Sequence, residues 1–286
     1  MIKPVICFEM LYPALPPEEK IKKIADAGFE YVEFWSWRDK DIKSIQSVCQ
    51  EYGIRVANFS GQRAGDLVNR HTHGILIKDL KESLKTAKIM GTHILMILTN
   101  ELGEGGQVLN SYPNLSEEEK KAAVIDGLKK VSEVIPDEVH IVLEPLNTVT
   151  DHRGYYLHNL SLASEILHTV GNSHIKILCD FYHQGMMGDD PEELIKNFIN
   201  DIGYIHIADY PGRHEPGTGR GDWKRVLSQL KQSNYDGYIG FEYEPLRDSD
   251  ESLKAIKELW EGEFYHKNSG DRQRKVTKLP GSPLQM

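Results

Sequence analysis

The stretch Tyr204–Trp223, YIHIADYPGRHEPGTGRGDW, carries a strand, a loop and the start of a helix in succession. Tyr204–Ala208 is an apolar run short enough for one buried strand, with His206 and Asp209 at its C-terminal end. The loop after it sets Arg213, His214 and Glu215 among Pro211, Gly212, Pro216, Gly217, Gly219 and Gly221. Asp222–Gln232 then reads as a helix. Chargeable side chains at a strand end, on a loop with restricted backbone freedom, are what a precise site requires. An ordinary surface loop is the competing reading, and the rest of the chain decides between the two.

Outward from this stretch the same unit recurs. Upstream, strands are predicted at Val5–Met10, Tyr31–Trp35, Ile54–Phe59, His93–Leu98, Val139–Glu144 and Ile175–Asp180. Between them, helices are predicted from Pro17 to a stop at Gly28, over Asp39–Tyr52, Lys78–Met90, Glu117–Val134, Leu160–Val170 and Pro191–Ile202. Gly53, Gly91 and Gly171 close three of these helices, and Ser116–Glu119 has the form of a capping box. Downstream, Tyr238–Tyr243 is a strand and Ser249–Trp260 the last helix. Eight strands alternating strictly with eight helices imply parallel βαβ units, and that number suits a closed (β/α)8 barrel. An open doubly wound sheet is the alternative. No domain boundary or repeat interrupts the alternation, so residues 1–263 read as a single α/β barrel. Residues 264–286 have little to bury and read as an extended or disordered tail available for subunit contacts in a homo-oligomer.

Composition narrows the classes of function. A chain of 286 residues, 40% hydrophobic, can bury a large core. Its formal net charge of −9 argues against nucleic acid as a partner, since a phosphate-backbone binder needs a basic face. No segment reaches the roughly 18 consecutive apolar residues of a membrane span, and the N-terminus MIKPVICFEM lacks the apolar stretch of a signal peptide. Cys7, Cys49 and Cys179 have no metal-type spacing and read as reduced thiols of a cytoplasmic protein.

In a (β/α)8 barrel the active site lies at the C-terminal ends of the strands. There the fifth strand offers Glu144, the sixth Asp180, the seventh His206 and the eighth Glu242. Carboxylates packed against apolar strands resist ionisation without a counter-charge, which a divalent cation supplies. Three carboxylates and one imidazole suit Mn²⁺ or Mg²⁺, with Co²⁺ as a further fit. The bland alternative is four separate salt-bridge partners. His183, three residues past Asp180, is expected on the loop above the metal, either holding substrate or orienting Asp180. Arg213 is suited to substrate oxygens by its planar fork, and Asn147 is a weaker candidate for substrate contact. Trp35 reads either as a pocket wall on which a sugar stacks or as core packing.

Such a site has an evident chemistry. A metal ion coordinating adjacent oxygens acidifies the C–H beside a carbonyl and stabilises the enediolate, while one Glu removes the proton and the same or the other returns it. Which of Glu144 and Glu242 is the base stays open. Arg70-His71-Thr72-His73 looks metal-like but reads better as a solvated polar turn, and His93 and His140 fall at the stability face of the barrel. No GxSxG, P-loop or GxGxxG motif occurs.

The segments IVLEPLN (Ile141–Asn147), CDFYH (Cys179–His183), IHIADYPGRHEPGTG (Ile205–Gly219) and NYDGYIGFEYEP (Asn234–Pro245) resemble the hydroxypyruvate isomerase family, within the xylose-isomerase-like TIM-barrel group of sugar isomerases and epimerases. The resemblance runs from about Val5 to Trp260. It implies paired catalytic glutamates at Glu144 and Glu242, and metal binding at Glu144, Asp180, the strand-seven position and Glu242. That position is commonly Gln in hydroxypyruvate isomerases but is His206 here, as in the related ketose 3-epimerases. The Asp-x-x-His and loop Arg of those epimerases match Asp180, His183 and Arg213. The expectation is a metal-assisted isomerase of a small hydroxy-carbonyl acid, of hydroxypyruvate or 2-oxo-tetronate type. A ketose 3-epimerase is the runner-up; an eliminating enzyme, a metal-dependent phosphodiesterase and a non-catalytic or partner-dependent subunit are the remaining alternatives.

Overall fold

The computed structural model of the protein describes residues 1–265. The tail read at 264–286 therefore lies, from residue 266 onward, outside the described residues. Eight parallel strands close into one barrel in chain order: β1 (Lys3–Cys7), β2 (Tyr31–Phe34), β3 (Arg55–Ser60), β4 (Ile94–Ile97), β5 (His140–Leu143), β6 (Ile175–Asp180), β7 (Ile202–Ile207) and β8 (Tyr238–Phe241). The closing pair is β1 with β8, in register from Lys3 opposite Tyr238 to Ile6 opposite Phe241. The doubly wound alternative is thereby excluded. No described helix is long and apolar enough to cross a membrane.

The outer ring is built from α1 (Pro17–Asp26), α2 (Ile42–Tyr52), α3 (His73–Met90), α4 (Glu117–Ser132), α5 (Leu160–Val170), α6 (Phe181–Met186), α7 (Pro191–Phe198), α8 (Trp223–Gln232) and α9 (Ser249–Phe264). Most start on a side-chain cap: Asp41, Asn159, Asp190, Asp222 and Asp248 each accept a backbone N–H of the first turn, and Ser116 with Glu119 forms the full capping box. Their apolar stripes pack onto the outside of the strands, as Ile21 and Ile24 of α1 and Ile256 and Trp260 of α9 do, all almost wholly removed from water.

Two helices depart from expectation. Helix α3 begins at His73, five residues before the expected Lys78, so the Arg70–His73 stretch is not a solvated turn throughout. Arg70–Thr72 is a single 3₁₀ turn capped by the Asn69 side chain, and the buried His73 places Nε2 2.9 Å from the Leu67 carbonyl. Helix α6 was not expected at all. His183 therefore stands on a helical turn rather than a loop, because Asp180 closes β6 and caps that turn by accepting the Tyr182 N–H at 2.8 Å.

Candidate metal centre and active site

The barrel register brings the strand ends together. Asp180 on β6 lies opposite His206 on β7, and His206 lies opposite Gly240 on β8. Glu144 and Glu242 stand one residue beyond β5 and β8, and their backbone N–H groups still donate across to Ile97 and Ile207, each at 3.3 Å. Side-chain alternation then turns all four residues toward the barrel axis. Each offers a ligand atom within 4.8 Å of the others, and all are at most 6% exposed.

His206 Nδ1 is 3.7 Å from Glu144 Oε1 and 3.6 Å from Glu242 Oε2, too far for a hydrogen bond to either. Asp180 Oδ2 and His206 Nδ1, the ring nitrogen that faces Glu144 and Glu242, are buried without a hydrogen-bond partner. Buried polar atoms are ordinarily satisfied, and an oxygen-rich donor set with one imidazole satisfies these through a hard divalent cation. The charge balance agrees. Glu33, Glu144, Asp180 and Glu242 are gathered around Arg213 and the His206 imidazole, an excess of carboxylates that a divalent cation offsets. The four ligands fit a divalent metal.

The environments push these groups apart. Burial raises Asp180 to about 7 and raises Glu144 above the usual carboxylate range. Burial also acts on Glu242, but Arg213, His206 and Trp35 together outweigh it and leave its carboxyl lowered. Desolvation opposes the charged form of His206, yet the carboxylates of Glu33, Glu144 and Glu242 prevail and raise it well above an ordinary histidine. His183 moves the other way, held neutral by burial and by Arg213.

Above this floor sit the residues expected at the substrate. The Arg213 guanidinium donates to Glu242 Oε2 and lies over the Tyr182 ring, 5.3 Å from its centroid. Arg213 takes φ +58°, a left-handed backbone that few side chains adopt, so the loop holds it in place against strain. Trp35 donates its indole N–H to Glu242 Oε1 and its backbone N–H to Glu9 at 3.0 Å, which holds the ring beside the carboxyl cluster. His183 is buried with Nε2 3.6 Å from Asp180 Oδ2. Asn147 Nδ2 faces His183 Nδ1 at 2.8 Å and donates to Asp151, while its Oδ1 accepts from Thr150 and Asp151. Its amide is thus fully occupied in setting His183 and the loop after β5.

The remaining charged residues of the Tyr204–Trp223 stretch hold the loop together. Asp209 accepts the N–H groups of Tyr210, Gly217 and Gly221 at 2.9, 2.8 and 3.0 Å. A Cβ on Gly219 would come within 2.5 Å of its Oδ1, which explains a glycine there. Glu215 accepts the Leu246 N–H at 2.9 Å, tying this loop to the one after β8. Sequence reasoning missed Glu33 on β2, and also Asp151 and His152, which with His183 form a second group of metal-type side chains at the mouth.

A closed (β/α)8 barrel with an acidic, imidazole-bearing cluster at the C-terminal ends of its strands defines a barrel protein with a metal-type site at its active end. The chain belongs to the xylose isomerase-like TIM barrel family, whose model matches residues 21–259. Among curated relatives, it is similar to a putative hydroxypyruvate isomerase of Mus musculus, 24% identical over 88% of this chain and 92% of that one. It is likewise 24% identical to the hydroxypyruvate isomerase of Escherichia coli, over 82% of this chain and 90% of that one, and to a 2-oxo-tetronate isomerase of Haemophilus influenzae, over 82% and 91%. Among solved structures that share the fold are two of different descriptions. One is an AP endonuclease, family 2, from Brucella melitensis, with TM-score 0.80 and 21% identity over 90% of this chain and 98% of that one. The other is a D-allulose 3-epimerase from a Methylomonas species, with TM-score 0.73 and 20% identity over 92% and 97%.

Proposed function

We propose that the protein is a cytoplasmic, divalent-metal-dependent isomerase of a small hydroxy-carbonyl acid, of hydroxypyruvate or 2-oxo-tetronate type. The observation that carries this reading is the pair Glu144 and Glu242, buried at the ends of β5 and β8 and each within 3.7 Å of His206 Nδ1. The names of the curated relatives support the same substrate class. Glu144, Asp180, His206 and Glu242 are the ligand set, and Mn²⁺ or Mg²⁺ is the ion that their oxygen-rich chemistry favours. When bound, the ion supplies Lewis acidity that makes the C–H beside the carbonyl acidic and stabilises the enediolate.

The protein's own groups do the rest. Glu242, its carboxyl lowered by Arg213, His206 and Trp35, takes the C–H proton, and Glu144, which burial pushes toward protonation, gives one to the neighbouring carbon while the substrate's hydroxyl proton passes to the former carbonyl oxygen; exchange with solvent then takes the proton from Glu242 and returns one to Glu144. His183, neutral and fixed by Asn147, and Arg213 hold the substrate oxygens, while the Trp35 ring lines the mouth. A ketose 3-epimerase is the second reading, favoured by an imidazole at the strand-seven position, where hydroxypyruvate isomerases commonly carry Gln.

Proton exchange followed by NMR in D₂O tests the function. With Mg²⁺ as the ion, the protein is incubated with hydroxypyruvate, fructose, tagatose and a tetrulose in turn. Deuterium is expected to enter hydroxypyruvate beside its carbonyl as tartronate semialdehyde appears. Exchange with a ketose alone, with its C3 epimer formed, moves the assignment to the second reading, and exchange with none of them, nor with a 2-oxo-tetronate run alongside, overturns both. The metal reading has its own test in His206→Gln. Divalent-ion affinity is expected to fall about 10-fold or more without vanishing, because three carboxylate ligands remain. An unchanged metal titration removes His206 from the ligand set.

A further inference from the structure

The ligand cluster has a floor that its chemistry does not directly use. Glu33 lies on β2, whose residues YVEF are all buried, and only 2% of it is exposed. Its Oε1 stands 3.1 Å from His206 Nε2, an ion-pair distance without hydrogen-bond alignment, and neither atom hydrogen-bonds any group among the described residues. Its Oε2 accepts the Tyr204 hydroxyl at 2.7 Å, from the position two residues before His206 on β7. A carboxylate inside a barrel core is costly unless something cationic or hydrogen-bonding answers it. Here the answer comes from the imidazole and the phenol, both on β7.

The facing strand is shaped around this contact. Gly240 on β8 sits opposite His206, and a Cβ there would come within 2.2 Å of Glu33 Oε1 and 2.7 Å of His206 Cδ2. Any larger residue would displace the carboxylate, the ring or both. Glycine costs strand stability, so its presence inside a buried strand marks a close approach. Glu33, His206 and Gly240 are one packed unit drawn from three strands.

We propose that Glu33 is a positioning residue for His206. It anchors Nε2 from below, which fixes the ring plane and aims Nδ1 at Glu144 and Glu242, while Tyr204 holds Glu33 and Gly240 keeps the space open. A metal-ligating histidine commonly has its second nitrogen held by a carboxylate, which sets the tautomer and the ring orientation. This proposal rests on the metal reading above only for its affinity readout; the orientation of the ring stands independently of it.

The test uses the full chain with Glu33→Gln, Tyr204→Phe and Gly240→Ala, each first checked for folding by circular dichroism and thermal melting. Mn²⁺ and Mg²⁺ binding to the metal-free proteins is then titrated calorimetrically. Glu33→Gln is expected to bind about 10–100-fold more weakly with the fold retained, Tyr204→Phe to lose less, and Gly240→Ala to resemble Glu33→Gln although it touches no ligand oxygen. The His206 ring nitrogens, followed by ¹⁵N NMR in the Mg²⁺-loaded protein, are expected to show the proton on Nε2 in the wild type and a mixture in Glu33→Gln. A folded Glu33→Gln with wild-type affinity and an unchanged His206 signature overturns the proposal. Should the wild type take up no divalent ion, the metal reading fails and crystal structures of metal-free wild type and Glu33→Gln decide: a His206 ring in the same plane in both overturns the positioning role, and a rotated ring upholds it.

Discussion

Replacing Glu144 by Gln is expected to lower turnover by about 10²–10⁴-fold, the range for losing a positioned acid–base group. The substitution keeps the shape of the side chain and removes a group whose ionisation burial already disfavours. The fold should survive for that reason. The neighbouring backbone contacts, the Tyr155 hydroxyl on the Glu144 carbonyl at 3.0 Å and the Glu144 N–H on Ile97, do not involve the side chain. Assays at saturating metal separate the acid–base effect from a weaker ligand set. Because Glu242 remains ionised beside Arg213, deuterium exchange into the substrate should fall less than product formation does. Exchange lost in step with turnover would give the proton-abstracting role to Glu144 instead. Full activity in Glu144→Gln would sink the two-glutamate mechanism.

The barrel, and the meeting of Glu144, Asp180, His206 and Glu242 at one end of it, were legible in the sequence for a physical reason. Strand ends in a parallel barrel all face one way, so four polar residues closing four successive apolar runs had to meet once the alternation was recognised. Strand Ile175–Asp180 and helix Leu160–Val170 fall where their patterns put them, because Gly171 and Asp180 mark the boundaries by backbone chemistry. What escaped reading depends on closure in three dimensions. Glu33 sits in the four-residue strand YVEF, and nothing local says whether its side faces water or the axis. Its role emerges only when β7 and β8 bring His206 and Gly240 against it. Helix α6 escaped because Asp180 serves two ends at once, the last residue of a strand and the cap of a helix, and pattern reading assigns a residue to one element. The start of α3 was misplaced because Gly74 and the polar run before it imitate a turn, whereas the burial of His73 against Leu67 favours a helix.

Stripping the metal with a chelator is expected to abolish turnover, and restoring Mn²⁺ or Mg²⁺ to recover it. The larger information lies in the melting curve. An ion present at a hundred times its dissociation constant stabilises the folded protein by about 2.7 kcal/mol, which for a chain of this size raises the melting temperature by roughly 4–5 °C. The shift should depend on pH in a direction set by Asp180. Its carboxyl is raised to about 7 in the folded metal-free protein from an ordinary 3.8, so between those two values the folded form holds a proton that the unfolded chain has released. The stability of the metal-free protein therefore declines as pH rises toward 7, as the buried carboxyl is forced to ionise. An ion must displace that proton, and also the one that the surrounding carboxylates keep on His206, before it can bind. Metal affinity and the accompanying thermal shift should accordingly be small near about pH 5.5 and grow as pH rises through neutrality, with protons released on binding. Titration by calorimetry in two buffers of different ionisation enthalpy counts those protons directly. A thermal shift that is absent, or equal at both ends of that range, would mean that the ion does not sit among Asp180, His206 and the two glutamates.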